Sequence, residues 1–272
     1  MTDPGPLPRP VSTALAVALT DDRAVALATV VGDTRPGGPS AGAKLLVSPD
    51  TAPVGSLGDA DLDRVVTRDA LGELEAGRTG VRHYGPHGEA REQVLTVFIE
   101  AFAPAPRMLV FGAVDFTAAL VRAAKLLGFH VTVCDAREVF ATTRRFPHAD
   151  EVVVDWPHRL LERVGARLGS RDAVCVLTHD PKFDVPAITT ALGTAVGYIG
   201  VMGSRRTHAD REVLLRDAGL GDAELARLRS PIGLDLGART PEEVAISVLA
   251  EIIASRTGRT AAPLATTDGP LH

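Results

Sequence analysis

The sequence predicts an α/β protein in which a parallel sheet with helices on both faces follows a smaller α+β domain. Residues 108–135 read as a buried strand, Gly112, an amphipathic helix, a second strand and Asp135, the order that opens a Rossmann-like nucleotide-binding sheet. Apolar runs and helical patterns then keep alternating, which favours a parallel sheet of about five strands. We expect an N-terminal domain over 1–103, the Rossmann-like domain over 104–258 and a disordered tail over 259–272.

The first hundred residues mix helical and extended patterns. Helices are predicted from Val11 to Thr20 and from Asp59 to Gly77, the second with one apolar face. Strands are predicted at 23–31, 45–48, 54–57, 81–84 and 93–102. The glycine- and proline-rich segment 32–44 separates the first two strands and contains Arg35 and Lys44, so we interpret it as a loop.

Beyond residue 135 the hydrophobic patterns predict a regular alternation of strands and helices. Strands are predicted at 151–154, 173–178 and 196–199, and helices at 157–168, 185–192 and 207–218. The last helix opens at TPEE, where Thr240 is the expected N-cap, Pro241 the first helical residue and Glu243 the partner in a capping box. Gly258 lies just beyond its predicted end.

Composition narrows the class of protein. The 272 residues are 45% hydrophobic and 23% charged, which suits two modest globular domains. A net charge of -5 argues against a nucleic-acid or anionic-membrane partner. Cys134 and Cys175 lie in predicted buried strands and are interpreted as small core residues. With no signal-peptide pattern and no apolar run long enough to span a bilayer, we expect a cytoplasmic protein.

The glycine loop after the first Rossmann strand departs from the dinucleotide-binding pattern. Val114 stands where a second glycine would let the backbone approach a pyrophosphate, and Asp115 adds negative charge at the helix N-terminus. Ordinary dinucleotide binding is therefore disfavoured. Asp135 nevertheless falls near the place of the acid that binds a ribose hydroxyl, so an NAD(P)-dependent oxidoreductase remains an alternative.

Three loops at predicted strand ends carry candidate chemistry. THDPKFD contains His179, Asp180 and Lys182, which could orient an anionic ligand; alternatively it is a polar loop whose Asp184 caps the next helix. VMGSRRTH places its glycine, serine and two arginines before a helix, which favours anion binding over a solvated basic turn. SPIGLDLGARTPEE contains Asp235. The spacing of its glycines and this acid is compatible with either a ligand-binding loop or a purely structural loop. No metal-binding or nucleophile motif appears.

Together the segments VLTHDPKFD, GYIGVMGSRRTHADR and RSPIGLDLGARTPEEVAISVLAEIIA resemble the C-terminal domain of the XdhC/CoxI family. Members of this family are accessory factors of molybdenum hydroxylases such as xanthine dehydrogenase and aerobic carbon monoxide dehydrogenase. DEVVVDWP and FIEAFAPAPRMLVFG also fit the family. RPGGPSAGAKLLV is similar to the family's N-terminal ligand loop, so Arg35 and Lys44 carry over as expected contacts.

The resemblance implies a chaperone for molybdenum cofactor (molybdopterin, or its dinucleotide form) rather than an enzyme by turnover. It implies that the protein assists sulfuration of the cofactor by a cysteine desulfurase and delivers it to a hydroxylase. A homodimer is compatible with the small N-terminal unit. The loops and the resemblance together give these expected cofactor-binding residues: Gly112, Asp115, Asp135, His179, Asp180, Lys182, Gly203, Ser204, Arg205, Arg206, Asp235, Arg35 and Lys44. No catalytic or metal-binding residue is expected.

Several departures from the family weigh on this interpretation, among them Gly112-Ala113-Val114-Asp115 in place of the usual G-A-G-H. Asp61 stands where the family has a cysteine, and Asp63 replaces a glutamate. A thiolate is a soft ligand for molybdenum and a carboxylate is not. A partner-binding paralogue without cofactor binding is therefore a further alternative.

Overall fold

The computed structural model describes residues 9–33, 41–85, 87–89 and 94–268. The chain divides into two compact units, Met1–Pro104 and Ala105–His272. Each unit has its own sheet and its own hydrophobic core. Within the described residues, no helix is both long and apolar enough to cross a bilayer.

The first unit is a five-stranded antiparallel sheet with a helix on each face. Its elements are α1 (Arg9–Thr20), β1 (Val25–Asp33), β2 (Lys44–Val47), β3 (Val54–Ser56), α2 (Ala60–Ala76), β4 (Gly80–Tyr84) and β5 (Leu95–Phe102). The strands follow the order β3-β2-β1-β5-β4, so the three-residue β3 forms one edge. Asp59 caps α2 by accepting from the Leu62 amide, and Gly77 ends it at a φ of 63°.

Strand β1 shows why a strand of this sheet is a nearly continuous apolar run in the sequence. Ala26, Ala28 and Val30 belong to the core under α2, whereas Val25 and Leu27 belong to the core under α1. Because side chains alternate between the two faces and both faces are covered, most positions are apolar, and the buried Thr29 has its hydroxyl hydrogen-bonded to Lys44.

The second unit contains a six-stranded sheet in which every neighbouring pair is parallel. Its elements are β6 (Arg107–Phe111), α3 (Asp115–Leu126), β7 (His130–Asp135), β8 (Glu151–Val154), α4 (Pro157–Val164), β9 (Ala173–Val176), α5 (Pro181–Leu192), β10 (Tyr198–Val201), α6 (Arg205–Asp217), α7 (Asp222–Leu225), β11 (Leu228–Arg229) and α8 (Pro241–Thr257). The order is β11-β10-β9-β6-β7-β8, and 3-10 turns cover Gly165–Arg167 and Leu264–Thr266.

Helices cover both faces of this sheet, which confirms the predicted fold class. One core lies under α3 and α8, and the other lies under α4, α5 and α6. Cys134 and Cys175 are fully buried, as predicted. Thr240, Glu243 and Gly258 cap α8 as the sequence indicates, with a reciprocal capping box and a left-handed glycine.

The fold differs from the sequence prediction in several bounds, such as β10 (predicted at 196–199) and α6 (predicted from residue 207), and in two details that have a clear physical reason. The sheet has a sixth strand, β11, which is only two residues long and therefore shows no recognisable alternation. Helix α5 begins at Pro181 rather than at Val185, because Asp180 serves as its N-cap and proline is well suited to the first helical position. The assignment of Asp184 as the cap was wrong, since Asp184 lies inside the first turns of α5 and is buried.

Candidate functional site

The predicted site residues of the second unit follow the carboxyl ends of four adjacent strands. Gly112 follows β6, Asp135 ends β7, Thr178 follows β9 and Gly203 follows β10. Strand β6 lies between β7 and β9, so the chain leaves β6 toward one side of the sheet and later returns on the other. Ligands of open parallel sheets bind in the crevice at such a switch point.

Gly112 allows the two central loops to approach each other. Its φ is 108°, and a Cβ there would lie 2.8 Å from Thr178 Cγ2 and 3.0 Å from the Thr178 amide nitrogen. Both the backbone conformation and the space therefore require glycine at this position.

The first turn of α3 contains the acidic side chain of Asp115. The Asp115 side chain is 94% exposed, and Arg145 Nη2 lies 3.8 Å from its Oδ1. Arg145 instead donates to the Ala113 carbonyl at 2.9 Å. Val114 occupies the N-cap position without a side-chain cap. An incoming phosphate would meet a branched side chain and a carboxylate here, as the sequence predicts.

Asp135 is not free to receive a ribose hydroxyl. Its buried carboxylate accepts from the Ala113 amide at 2.8 Å and from the Arg137 amide at 2.9 Å. The Arg137 guanidinium donates Nε and Nη2 to the same carboxylate at 2.9 and 2.7 Å. Burial alone would raise the pKa of Asp135, but these hydrogen bonds outweigh it and hold the pKa below its usual value. The sequence prediction considered the acid and missed Arg137, although it is only two residues away.

The loop after β9 forms the first turn of α5. Asp180 accepts from the Lys182 amide at 3.1 Å, and the Lys182 Nζ lies 3.1 Å from Asp180 Oδ2. The lysine hydrogen bond is the first cause that lowers the pKa of Asp180, so this carboxylate is ionised. His179 is exposed beside the pair. These side chains therefore do lie together, but the Lys182 ammonium group is already paired with the Asp180 carboxylate.

A buried ion pair ties the ends of β9 and β10 together. Arg211 Nη2 donates to Asp184 Oδ2 at 2.9 Å and to the Met202 carbonyl at 3.1 Å, and the Thr178 hydroxyl donates to Asp184 Oδ1. The side chains of Arg211 and Asp184 are 5% and 1% exposed. The sequence analysis did not identify Arg211. Its position could have indicated a role, because a residue seven positions after Ser204 lies on the same face of α6.

The α6 N-terminus has the features of an anion cradle. Ser204 caps the 13-residue helix by accepting from the Thr207 amide at 3.1 Å. Gly203 has a φ of 152°, and a Cβ there would lie 3.3 Å from Thr207 and 3.5 Å from Arg211 Nη1. That Nη1 is buried and has no hydrogen-bond partner among the described residues. Arg205 and Arg206, at the mouth of the turn, are exposed.

The third predicted loop behaves as scaffold. Gly233 packs against α8, because a Cβ there would lie 2.5 Å from Ser247 Oγ. Its amide donates to Glu251 at 2.8 Å, and Ser247 donates to the Leu234 carbonyl at 2.6 Å. Asp235 is exposed on this loop.

Two of the predicted contacts, Arg35 and Lys44, belong to the first unit. Arg35 lies outside the described residues. Lys44 is buried, donates to Thr29 Oγ1 at 3.0 Å, and has its pKa lowered by burial. Asp61 is exposed in the first turn of α2, with its carboxylate 3.5 Å from Arg64.

The residues present fit the anionic part of a cofactor better than a metal. Burial raises the pKa of Cys134 and of Cys175 to about 12, so neither supplies a thiolate at neutral pH. The described part of the chain contains no group of three His, Cys, Asp or Glu residues that could hold a metal ion. The cradle at Gly203–Arg206, with its orphaned guanidinium nitrogen, suits a phosphate.

The fold and this edge define a Rossmann-type α/β protein with a modified glycine loop. Residues 108–252 match the XdhC Rossmann domain, and residues 18–85 match the XdhC and CoxI family. The chain therefore belongs to the XdhC/CoxI family, as the resemblance in the sequence indicated.

Similar proteins agree with this assignment. The chain is 34% identical over 165 residues to a probable xanthine dehydrogenase component of Bacillus subtilis, covering 61% of this chain and 47% of that protein. It is 34% identical over 91 residues to the molybdenum cofactor insertion chaperone PaoD of Escherichia coli, covering 34% and 29%. The chain thus spans less than half the length of these relatives.

A solved structure of a Bacillus halodurans protein, described as a xanthine dehydrogenase, shares the fold. The TM-score is 0.54 at 22% identity, and the match covers 94% of this chain and 97% of the other.

Proposed function

We propose that this protein is an accessory factor that binds molybdenum cofactor and passes it to a molybdenum hydroxylase. The observation that carries the proposal is the anion cradle at the α6 N-terminus, with Gly203, Ser204, Arg205 and Arg206 above the orphaned Nη1 of Arg211. Family membership and the similarity to an insertion chaperone support it.

In this proposal the chain holds the cofactor by its phosphate and does not turn over a substrate. The cofactor supplies the redox chemistry only after it reaches the hydroxylase. Sulfuration of the bound cofactor by a cysteine desulfurase, use of the dinucleotide form, homodimer formation and a cytoplasmic location belong to the same proposal. Gly112, Asp115, His179, Asp180, Lys182 and Asp235, with Arg35 and Lys44 in the first unit, remain proposed contacts, whereas the Asp135 carboxylate is already occupied by Arg137 and two backbone amides.

The proposal does not extend to NAD(P)-dependent oxidation. The motivating acid, Asp135, is bound by Arg137, and Val114 and Asp115 oppose a pyrophosphate at α3. A fluorescence titration with NADH should therefore show no binding up to about millimolar concentrations, the range in which weak ligands still register.

Binding of freshly released molybdenum cofactor, measured anaerobically, tests the proposal. We compare the wild type with an Arg205→Ala, Arg206→Ala variant and with a matched Arg64→Ala, Arg68→Ala variant, which removes the same charge from the exposed face of α2. Loss of each phosphate contact costs about 1.5–3 kcal/mol, so affinity should fall at least about tenfold in the first variant only.

Two results would contradict the proposal in different ways. Equal affinity of all three proteins for the cofactor would show that the α6 cradle is not part of the binding site. Failure of the wild type to bind the cofactor would favour a partner-binding paralogue, in line with Asp61 at the position of the family cysteine.

A further inference from the structure

A pocket of about 200 Å³ lies between α3 and the segment that joins β7 to β8. Helix α3 contributes Ala118, Val121 and Arg122 to its lining, and the segment contributes residues 144–148. Helix α3 covers one face of the sheet and α6 covers the other. The pocket is therefore separate from the anion cradle at the α6 N-terminus, and a ligand in the cradle leaves it open.

The polar part of the pocket is basic. Its charged and titratable lining consists of Arg122, Arg144, Arg145 and His148, and no described aspartate or glutamate lines it. The whole chain has a net charge of -5, so three guanidinium groups around one pocket reverse the sign of the charge locally. Guanidinium groups bind carboxylates through parallel N–H donors. The pocket is therefore suited to an anionic group.

Two of the arginines have donors to spare. Arg144 is exposed and forms no ion pair within the described part of the chain. The Arg122 side chain is 48% exposed, and its Nη2 donates to Glu242 Oε1 at 2.9 Å. Because a guanidinium carries five N–H donors, most of those of Arg122 remain available. Arg122 and Arg144 are therefore the groups that can receive a ligand.

The acids beside the pocket do not fill it. Asp150, two residues after His148, accepts from Lys125 Nζ at 2.7 and 2.8 Å and from the Val131 amide at 2.7 Å. Glu242 lies on α8, and its side chain is 65% exposed to water. Solvent screens a pair as exposed as this one, so Glu242 neutralises Arg122 only in part.

The rest of the pocket is apolar and small. Val121 and Phe146 are buried beneath it, and Pro147 is exposed at its rim. Leu126, one turn after Arg122 on the same stripe of α3, is 85% exposed. Pockets for drug-sized molecules have volumes of about 300–1,000 Å³, so this one is too small for a nucleotide or a pterin. It has room for one side chain.

We propose that this pocket is a docking site for an acidic segment of a partner protein. An aspartate or glutamate side chain of the partner enters between Arg122 and Arg144, and an apolar residue of the same segment packs on Leu126. The inference goes beyond the proposed function, because it uses neither the cofactor nor the cradle. It also allows the partner to dock while the crevice is occupied.

A peptide of defined sequence tests the proposal. Fluorescence anisotropy of a labelled eight-residue peptide with alternating glutamate and leucine is followed as the full chain is added. Two control peptides have glutamine in place of glutamate or serine in place of leucine. The ionic strength is held at about 0.15 M, where charges farther apart than about 8 Å are screened. Inorganic phosphate serves as a competitor.

Three variants separate charge from shape. Arg122→Gln, Arg144→Gln removes the two available guanidinium groups. Ala118→Leu keeps every charge and fills the pocket from the half-buried side of α3. The matched control is Arg64→Gln, Arg68→Gln, which removes the same charge from the exposed face of α2. Arg145 is kept, because it donates to two backbone carbonyls and its loss would disturb the fold.

We expect the double variant at Arg122 and Arg144 to weaken binding of the glutamate–leucine peptide about fivefold or more, as two partly exposed ion pairs predict. Ala118→Leu should weaken it to a similar extent, and the control at Arg64 and Arg68 should leave it unchanged. The wild type should bind both control peptides more weakly than the glutamate–leucine peptide.

Four outcomes overturn the proposal. The first is no anisotropy change at up to about 1 mM protein, the limit of weak association. The second is equal affinity of the wild type for the peptide without leucine, and the third is an unchanged affinity in Ala118→Leu; both indicate attraction between charges without a pocket. The fourth is displacement of the peptide by phosphate at equal concentration, which indicates a general anion site. The proposed function fails separately, in the cofactor-binding assay.

Discussion

Replacing Arg211 by methionine should strongly destabilise the second unit, because it leaves the Asp184 carboxylate buried without its cation. The two charges are 2.9 Å apart, and at an effective dielectric constant of about 20 they attract by about 6 kcal/mol. Desolvation offsets much of that attraction, so removal of one partner from a buried pair costs about 3–5 kcal/mol net. For a unit of this size the melting temperature should fall by about 2–4 °C per kcal/mol.

Trp156 provides the assay. It is the only tryptophan in the chain, and its ring centroid lies 4.8 Å from that of Phe183 in the second unit. Urea unfolding followed by its fluorescence therefore reports on this unit rather than on the whole chain. An Asp184→Leu, Arg211→Met double variant should be more stable than Arg211→Met alone, since it removes the uncompensated charge.

The pH dependence supplies a second check. Burial raises the pKa of Asp184, and the hydrogen bond from Thr178 and the charge of Arg211 oppose that rise. Without Arg211 the pKa should rise further above its unfolded value, so the folded state gains a proton more readily than the unfolded state. The deficit of Arg211→Met relative to the wild type should thus shrink as the pH falls from 8 to 5. A deficit below about 1 kcal/mol that does not change with pH would refute this account of the pair.

Three further predictions concern the core and its caps. Gly112→Ala should destabilise the second unit by about 1–3 kcal/mol, because alanine is strained at a φ of 108° and its Cβ would collide with the next loop. Gly169→Ala, with nothing within 4 Å of the added Cβ, is the control, and equal losses in the same fluorescence assay would contradict the steric argument. Cys134 and Cys175 should resist a thiol reagent at pH 8 until denaturant is added, since burial raises the pKa of both thiols to about 12; rapid labelling of the native protein would be the contrary result. Thr240→Ala should cost about 1 kcal/mol by removing the α8 N-cap, and an unchanged urea midpoint would show that the capping box contributes nothing.

Local patterns explain which parts of the fold could be predicted from the sequence. The order strand, glycine, helix, strand, acid follows from the periodicity of the apolar residues and from Gly112. The start of α8 follows from Thr240 and Glu243, which form its capping box. Strand β11 escaped prediction because two residues contain no period, and its pairing with β10 depends on the rest of the sheet.

The candidate site could be located but not described from the sequence. The strand-end rule placed the relevant loops at one edge, and the structure has them there. The partners of the charges could not be predicted, because Asp184 and Arg211 are 27 residues apart and meet only when α5 and α6 pack on the sheet. The pairing of Arg137 with Asp135 could not be predicted either, since nothing in the sequence shows that a side chain folds back onto an acid two residues earlier.

The sheet of the second unit ends in strands that offer few unpaired backbone groups to an approaching chain. There β11 has two residues and β8 has four, whereas the first unit has one edge of three residues, β3, and one of five, β4. Short edges expose few unpaired amides and carbonyls, which discourages the strand-to-strand pairing that leads to aggregation. A partner that docks on the second unit is therefore best recognised by side chains on helices and loops, so its binding can be altered by surface substitutions that leave the sheet intact.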